Sequence, residues 1–62
     1  MTIRDIKLQI NTIEARRNLH IDYMHAKIQD SDWHGVADAA MDIREYEAQL
    51  YVLRQVEANH ES

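Results

Sequence analysis

The 62-residue sequence predicts an all-α fold, an antiparallel two-helix hairpin that associates with copies of itself into a helical bundle, a dimeric four-helix bundle being the simplest form. Three observations carry the prediction. The chain has no proline and a single glycine, so almost nothing in it breaks a helix, whereas a sheet needs repeated turns. Isoleucines at 3, 6, 10, 13, 21 and 28, joined by Met24, recur at three- and four-residue steps and share one stripe of a helix. The polar stretch Gln29-Asp30-Ser31-Asp32 then interrupts this periodicity near mid-chain.

Helix one is predicted over about 3–28. Thr2 suits its N-cap because the hydroxyl can accept a free N–H of the first turn, and Asp5 stands where the helix dipole favours an anion. A loop over about 29–32 follows, in which Ser31 and Asp32 cap the next helix. Helix two is predicted over about 33–57, with Trp33, Val36, Ala40, Ile43, Tyr46, Leu50 and Leu53 as its core stripe, and 58–62 as a frayed tail. So short a connection makes the helices antiparallel, setting Met24 and Ile28 near Trp33 and Val36, and Ile10 near Leu50 and Leu53.

Each helix has a second, weaker apolar set: Leu8, Ala15, Leu19, Tyr23 and Ala26 on the first, Ala37, Met41, Ala48 and Val52 on the second. A lone hairpin cannot cover both stripes, and a chain this short buries a small share of its surface. Leu8, Ala15, Leu19, Met41, Ala48 and Val52 are therefore expected at an interface between copies. Cysteine is absent, so disulfides, thiolate chemistry and the usual structural zinc sites do not supply the missing stability.

The formal net charge is -4 and is uneven. Residues 1–30 carry five Lys/Arg against four Asp/Glu, and residues 31–62 carry two against seven. Such a surface repels duplex nucleic acid and favours a protein with a basic surface or a small ligand held by local arginines. No apolar run reaches the roughly 20 residues that span a bilayer, and the N-terminus lacks an apolar signal core, so no membrane contact and a cytoplasmic location are expected.

Several polar residues interrupt the stripes. Arg17 lies between Ile13 and Ile21, and Glu47 between Ile43 and Leu50, so one reading is a partly buried ion pair that sets helix register. The other gives Arg17, with Arg16 and His20, an anion to bind at a subunit interface. Trp33 reads most simply as a plug at the loop end of the core. Gly35 costs about 1 kcal/mol against alanine inside a helix, which points to a close approach by another backbone or a ligand, close packing being the simpler cause. His34, Asp38 and Asp42 follow at four-residue steps with Glu45 alongside. An exposed acidic stripe accounts for them better than a metal site, which needs three or four converging ligands, and no metal or cofactor is expected. Nothing completes a catalytic set: a Ser31 to His34 pair lacks an orienting acid and an oxyanion site, so the chain reads as a non-enzyme.

The stretch Asp32-Trp33-His34-Gly35-Val36-Ala37-Asp38-Ala39-Ala40-Met41-Asp42-Ile43-Arg44-Glu45 resembles a segment of short helical-hairpin proteins, mostly uncharacterised, from tailed bacteriophages and prophages. The resemblance covers about half of the chain and implies a small accessory factor in a bacterial host cell. Phage proteins of this outline include antirepressors, inhibitors of host enzymes and sponges for nucleotide immune signals. Two functional expectations follow. In the leading one, His34, Asp38, Asp42, Glu45 and Gln49 meet a basic surface on a host or phage protein. In the alternative, Arg16, Arg17, His20, Tyr23, Trp33 and Arg44 hold a small nucleotide, arginines on phosphate and aromatics on the base. A purely structural component is a third.

Overall fold

A computed structural model, which describes Thr2–Glu61 with side chains through His60, shows two helices, α1 over Ile3–Gln29 and α2 over Trp33–Glu61. No strand occurs among the described residues. Thr2 begins α1 as expected. Its hydroxyl accepts the Asp5 N–H at 3.2 Å while Asp5 Oδ2 accepts the Thr2 N–H at 3.3 Å, a reciprocal capping box.

The reversal is tighter than the sequence suggested, because Gln29 still belongs to α1. Ser31 N–H donates to the Ile28 carbonyl at 3.0 Å and Asp32 N–H to the Lys27 carbonyl at 2.9 Å, the paired bonds of a Schellman ending. That ending needs a left-handed residue, and Ser31 supplies it with φ 56. Ser31 thus closes α1 instead of capping α2. Asp32 alone is the cap of α2: Oδ1 accepts the Gly35 N–H at 3.0 Å, and its carbonyl accepts the first intrahelical bond, from Val36 N–H at 3.0 Å. At the other end α2 runs through Glu61, so residues 58–61 are helical where a frayed tail was expected. No proline or glycine follows Gly35 to stop it. Ser62 lies outside the described residues.

The helices pack along one seam. Ile6 and Leu50 are fully buried, Ile10 joins them, and Ile3, Ile13, Leu53 and Val56 close around this cluster. Toward the loop, Ile43 and Ala39 are buried. Three side chains expected in the core are not there. Trp33 is 64% exposed, Ala40 is exposed, and Ile28 is 42% exposed. The seam on α2 steps through Val36, Ala39, Ile43, Tyr46, Leu50 and Leu53, which puts Ala39 inward and leaves its neighbour Ala40 outward. Gly35 is buried against α1, so Trp33, two residues earlier, projects from the opposite side of α2.

The Arg17 to Glu47 ion pair does not form. Tyr46, not Glu47, takes the seam position, and its ring meets His20 edge-on at 5.1 Å. The half-buried Arg17 instead donates to Asn18 Oδ1 at 3.3 and 3.4 Å. Register is marked by pairs flanking the seam: Arg54 with Glu14 at 3.0 Å on one side, His20 with Asp42 at 3.6 Å on the other. The resulting rod measures 46 × 14 × 14 Å. Its radius of gyration is 14.2 Å, against roughly 11 Å for a compact domain of this length, so one seam is all the core it has.

Candidate functional site

Two hollows run end to end along the side of the seam that carries His20 and Asp42. One, of about 330 Å³, is lined by Leu19, His20, Tyr23, Asp38, Ala39 and Asp42. The next, of about 440 Å³, is lined by Gln9, Ile13, Ala48, Gln49, Val52 and Leu53. Helical spacing explains the company. On α1, Gln9, Ile13, Arg16, His20 and Tyr23 follow at three- and four-residue steps, and on α2 so do Asp38, Asp42, Glu45, Gln49 and Val52. Of the expected stripe, Asp38, Asp42 and Gln49 therefore border a groove with apolar walls, while Glu45 lines a separate hollow with Met41, Arg44 and Ala48. His34 stands at the loop end of the groove, with its side chain 91% exposed.

Each aspartate of the first hollow has an imidazole beside it. His34 Nε2 lies 3.4 Å from Asp38 Oδ2, and His20 Nε2 lies 3.6 Å from Asp42 Oδ2. His20 Nδ1 is 2.9 Å from the Arg16 carbonyl, and since a carbonyl only accepts, Nδ1 carries the proton and donates. The ring is thereby aimed with Nε2 toward Asp42. A cation entering the hollow would find two carboxylates and the Tyr23 ring, over which Lys27 Nζ already sits 5.1 Å from the centroid.

At the loop end of this groove, Lys27 Nζ lies 3.4 Å from Asp32 Oδ2. The Gly35 N–H, and after it Lys27, hold the Asp32 carboxyl below the usual carboxylate range. Asp32, together with Tyr23, holds the Lys27 ammonium above its ordinary value. Sequence reasoning passed over Lys27 and Asp32 as a pair. The signal was Gly35: a β-carbon there would fall 2.9 Å from Lys27 Cδ and 3.0 Å from Lys27 Cγ and Asp32 Oδ2. The close approach inferred from the glycine is real, but a side chain, the lysine stem, makes it where a backbone or a ligand was expected.

The six residues considered for a nucleotide are scattered. Arg16, His20 and Tyr23 share the groove side of α1, Arg17 lies in the seam, Trp33 projects at the loop end, and Arg44 stands across α2 from the groove floor. The expected interface residues Leu8, Ala15, Leu19, Met41, Ala48 and Val52 are all exposed. Among the described residues no three His, Asp or Glu side chains converge on a position for a metal ion. No helix is long and apolar enough to cross a membrane among the described residues.

The fold is thus an all-α helical hairpin with one acidic, apolar-walled groove. No family model, no curated protein and no solved structure matches the chain.

Proposed function

We propose that this chain is a non-enzymatic binding module, working as a homo-oligomer, that captures a basic segment of another protein on the groove side of the hairpin. One observation carries the reading: Asp38 and Asp42 share a hollow of about 330 Å³ with Leu19, Ala39 and Tyr23. Carboxylates beside apolar walls suit an amphipathic helix whose Lys or Arg residues flank an apolar ridge. The partner's charge would steer encounter, and its ridge would supply the burial. With the segment of residues 32–45 resembling phage proteins, the setting is a small accessory factor of antirepressor or inhibitor type acting in the host cytoplasm.

The test uses a labelled basic amphipathic peptide and fluorescence anisotropy, with host-lysate capture alongside. Binding should weaken steeply with added salt and be lost in Asp38→Asn/Asp42→Asn. Retained binding by that variant sinks the proposal. Thermal melts with cyclic and linear nucleotides form the second arm: a rise in Tm with one of them would put a nucleotide in place of the peptide.

A further inference from the structure

Leu19 and Met41 are 68% and 67% exposed, on opposite edges of the rod. Met41, Arg44, Glu45 and Ala48 line a hollow of about 280 Å³ on the outer side of α2. Their spacing of i, i+3, i+4 and i+7 is that of the four-residue hole into which a side chain of a facing helix inserts. Leu19 is a knob of the right kind, two residues from Arg17 and Ile21 and so directed away from the seam.

The charges around knob and hole match. On α1, Arg16 precedes Leu19 by three residues and Asp22 follows by three, which puts a cation on the groove side of Leu19 and an anion on the other. On α2, Glu45 lies on the groove side of the line from Met41 to Ala48 and Arg44 on the far side. Neither Arg16, Asp22, Arg44 nor Glu45 makes a side-chain hydrogen bond or ion pair among the described residues. Their heights agree to within one turn of helix. Arg16 lies between Glu14, which reaches Arg54, and His20, which reaches Asp42 and Tyr46, and Asp22 is two residues from His20. By those pairs Arg44 and Glu45 stand level with residues 20 and 21, so Asp22 is beside Arg44. Arg16 lies about one turn, roughly 6 Å along the rod, from Glu45, a gap its long side chain spans.

We propose that copies of this chain pack head to tail, the Leu19 of α1 inserting between Met41, Arg44, Glu45 and Ala48 of the next copy's α2, with Arg16 facing that copy's Glu45 and Asp22 its Arg44. A rotation axis parallel to the helices keeps every residue at its own level, which sets Asp22 beside Arg44 and leaves Arg16 within one turn of Glu45. Knob and hole stand on opposite edges of one hairpin, so the contact is heterologous and repeats from copy to copy, as a closed ring or an open array, instead of ending at a single two-fold pair. A face-to-face dimer would make its contacts about a quarter turn from the core, and there the helices present Gln9, Arg16, His20, Asp38, Asp42 and Gln49. A stable contact needs roughly 800 Å² from each partner, about a sixth of the 4711 Å² this chain exposes. The outer stripe that starts at Leu8 and ends at Ala26 spans enough of the rod to supply it. Leu19 and Ala48 also edge the two hollows, so the contact takes up one rim of the groove and leaves His20, Asp38, Ala39 and Asp42 open. The mass of the assembly tests the contact without reference to what the groove binds.

Sedimentation equilibrium of the full chain at low salt tests it. The wild type should exceed the mass of a dimer, and Leu19→Glu should be monomeric with unchanged helicity by circular dichroism. Arg16→Glu and Glu45→Arg should each weaken association about tenfold or more, and the double variant Arg16→Glu/Glu45→Arg should regain it, as should a mixture of the two single variants. A wild-type mass that stays at the monomer or stops at the dimer overturns the proposal. So does Arg16→Glu associating as tightly as wild type, or a folded double variant that does not recover.

Discussion

The methylene stem of Lys27 lies across Gly35, where a β-carbon would stand 2.9 Å from Lys27 Cδ. The lysine then reaches past the glycine to Asp32 Oδ2, whose other oxygen caps α2. One side chain thereby ties the end of α1 to the start of α2, and the glycine is what lets it pass.

Gly35→Ala should therefore depend on residue 27. Alanine gains about 1 kcal/mol of helix propensity, but in the native background it displaces the lysine from Asp32. Urea denaturation of Gly35→Ala, Lys27→Ala and the double variant should show alanine at 35 stabilising only when Lys27 has been shortened. Equal gains in both backgrounds would remove the steric role assigned to the stem.

The same cluster sets a pH dependence. Asp32 titrates below its ordinary 3.8 in the folded chain, so its contribution is present above that value and lost as pH falls through the folded one. Lys27 titrates above its ordinary 10.5, so its contribution is present below that value and lost as pH rises through the folded one. Between these limits both groups are charged. Asp32→Asn keeps a capping oxygen and loses the charge, so its Tm deficit against wild type should shrink as pH drops below 3.8. A deficit that stays constant through the acid limb would refute the linkage.

Ser31 holds the left-handed conformation that closes α1, with φ 56. A β-carbon is disfavoured there and glycine is not, so Ser31→Gly should stabilise the hairpin by about 1 kcal/mol. Chemical denaturation checks this, and a loss of stability would mean that the serine hydroxyl contributes a bond of its own.

The large side chains should divide sharply. Leu50 is 1% exposed, and Leu50→Ala should cost about 2–5 kcal/mol, enough to unfold much of so small a domain at room temperature. Trp33→Ala should change stability by only about 0.5 kcal/mol, and the indole emission should be readily quenched by iodide. A strongly destabilised Trp33→Ala would restore the tryptophan to the core.

Much of this molecule was legible from residue order. The isoleucine spacing, the Thr2 and Asp5 cap and the polar break near mid-chain depend on contacts within a few residues, and such contacts form in the same way wherever the helix packs. The groove-side alignment of Asp38, Asp42, Glu45 and Gln49 was legible for the same reason, since helical spacing alone places them on one stripe.

What helical periodicity leaves open is rotation: Ala39 and Ala40 are chemically identical, and Trp33 extends an apolar stripe as well as any core residue does. Only the packed pair of helices chose between them: with Ile43 and Leu50 buried in the seam and Gly35 against the lysine stem, Ala39 turns inward and Trp33 out. The partners of Arg17, His20 and Glu14 were decided likewise. Sequence determined the two helices, the Thr2 and Asp32 caps and the antiparallel course through local bonds, while the role of Ser31 in closing α1 was not read from it. The tertiary structure decided which side of each helix is buried and which charges meet, because those depend on steric fit between residues far apart in the chain.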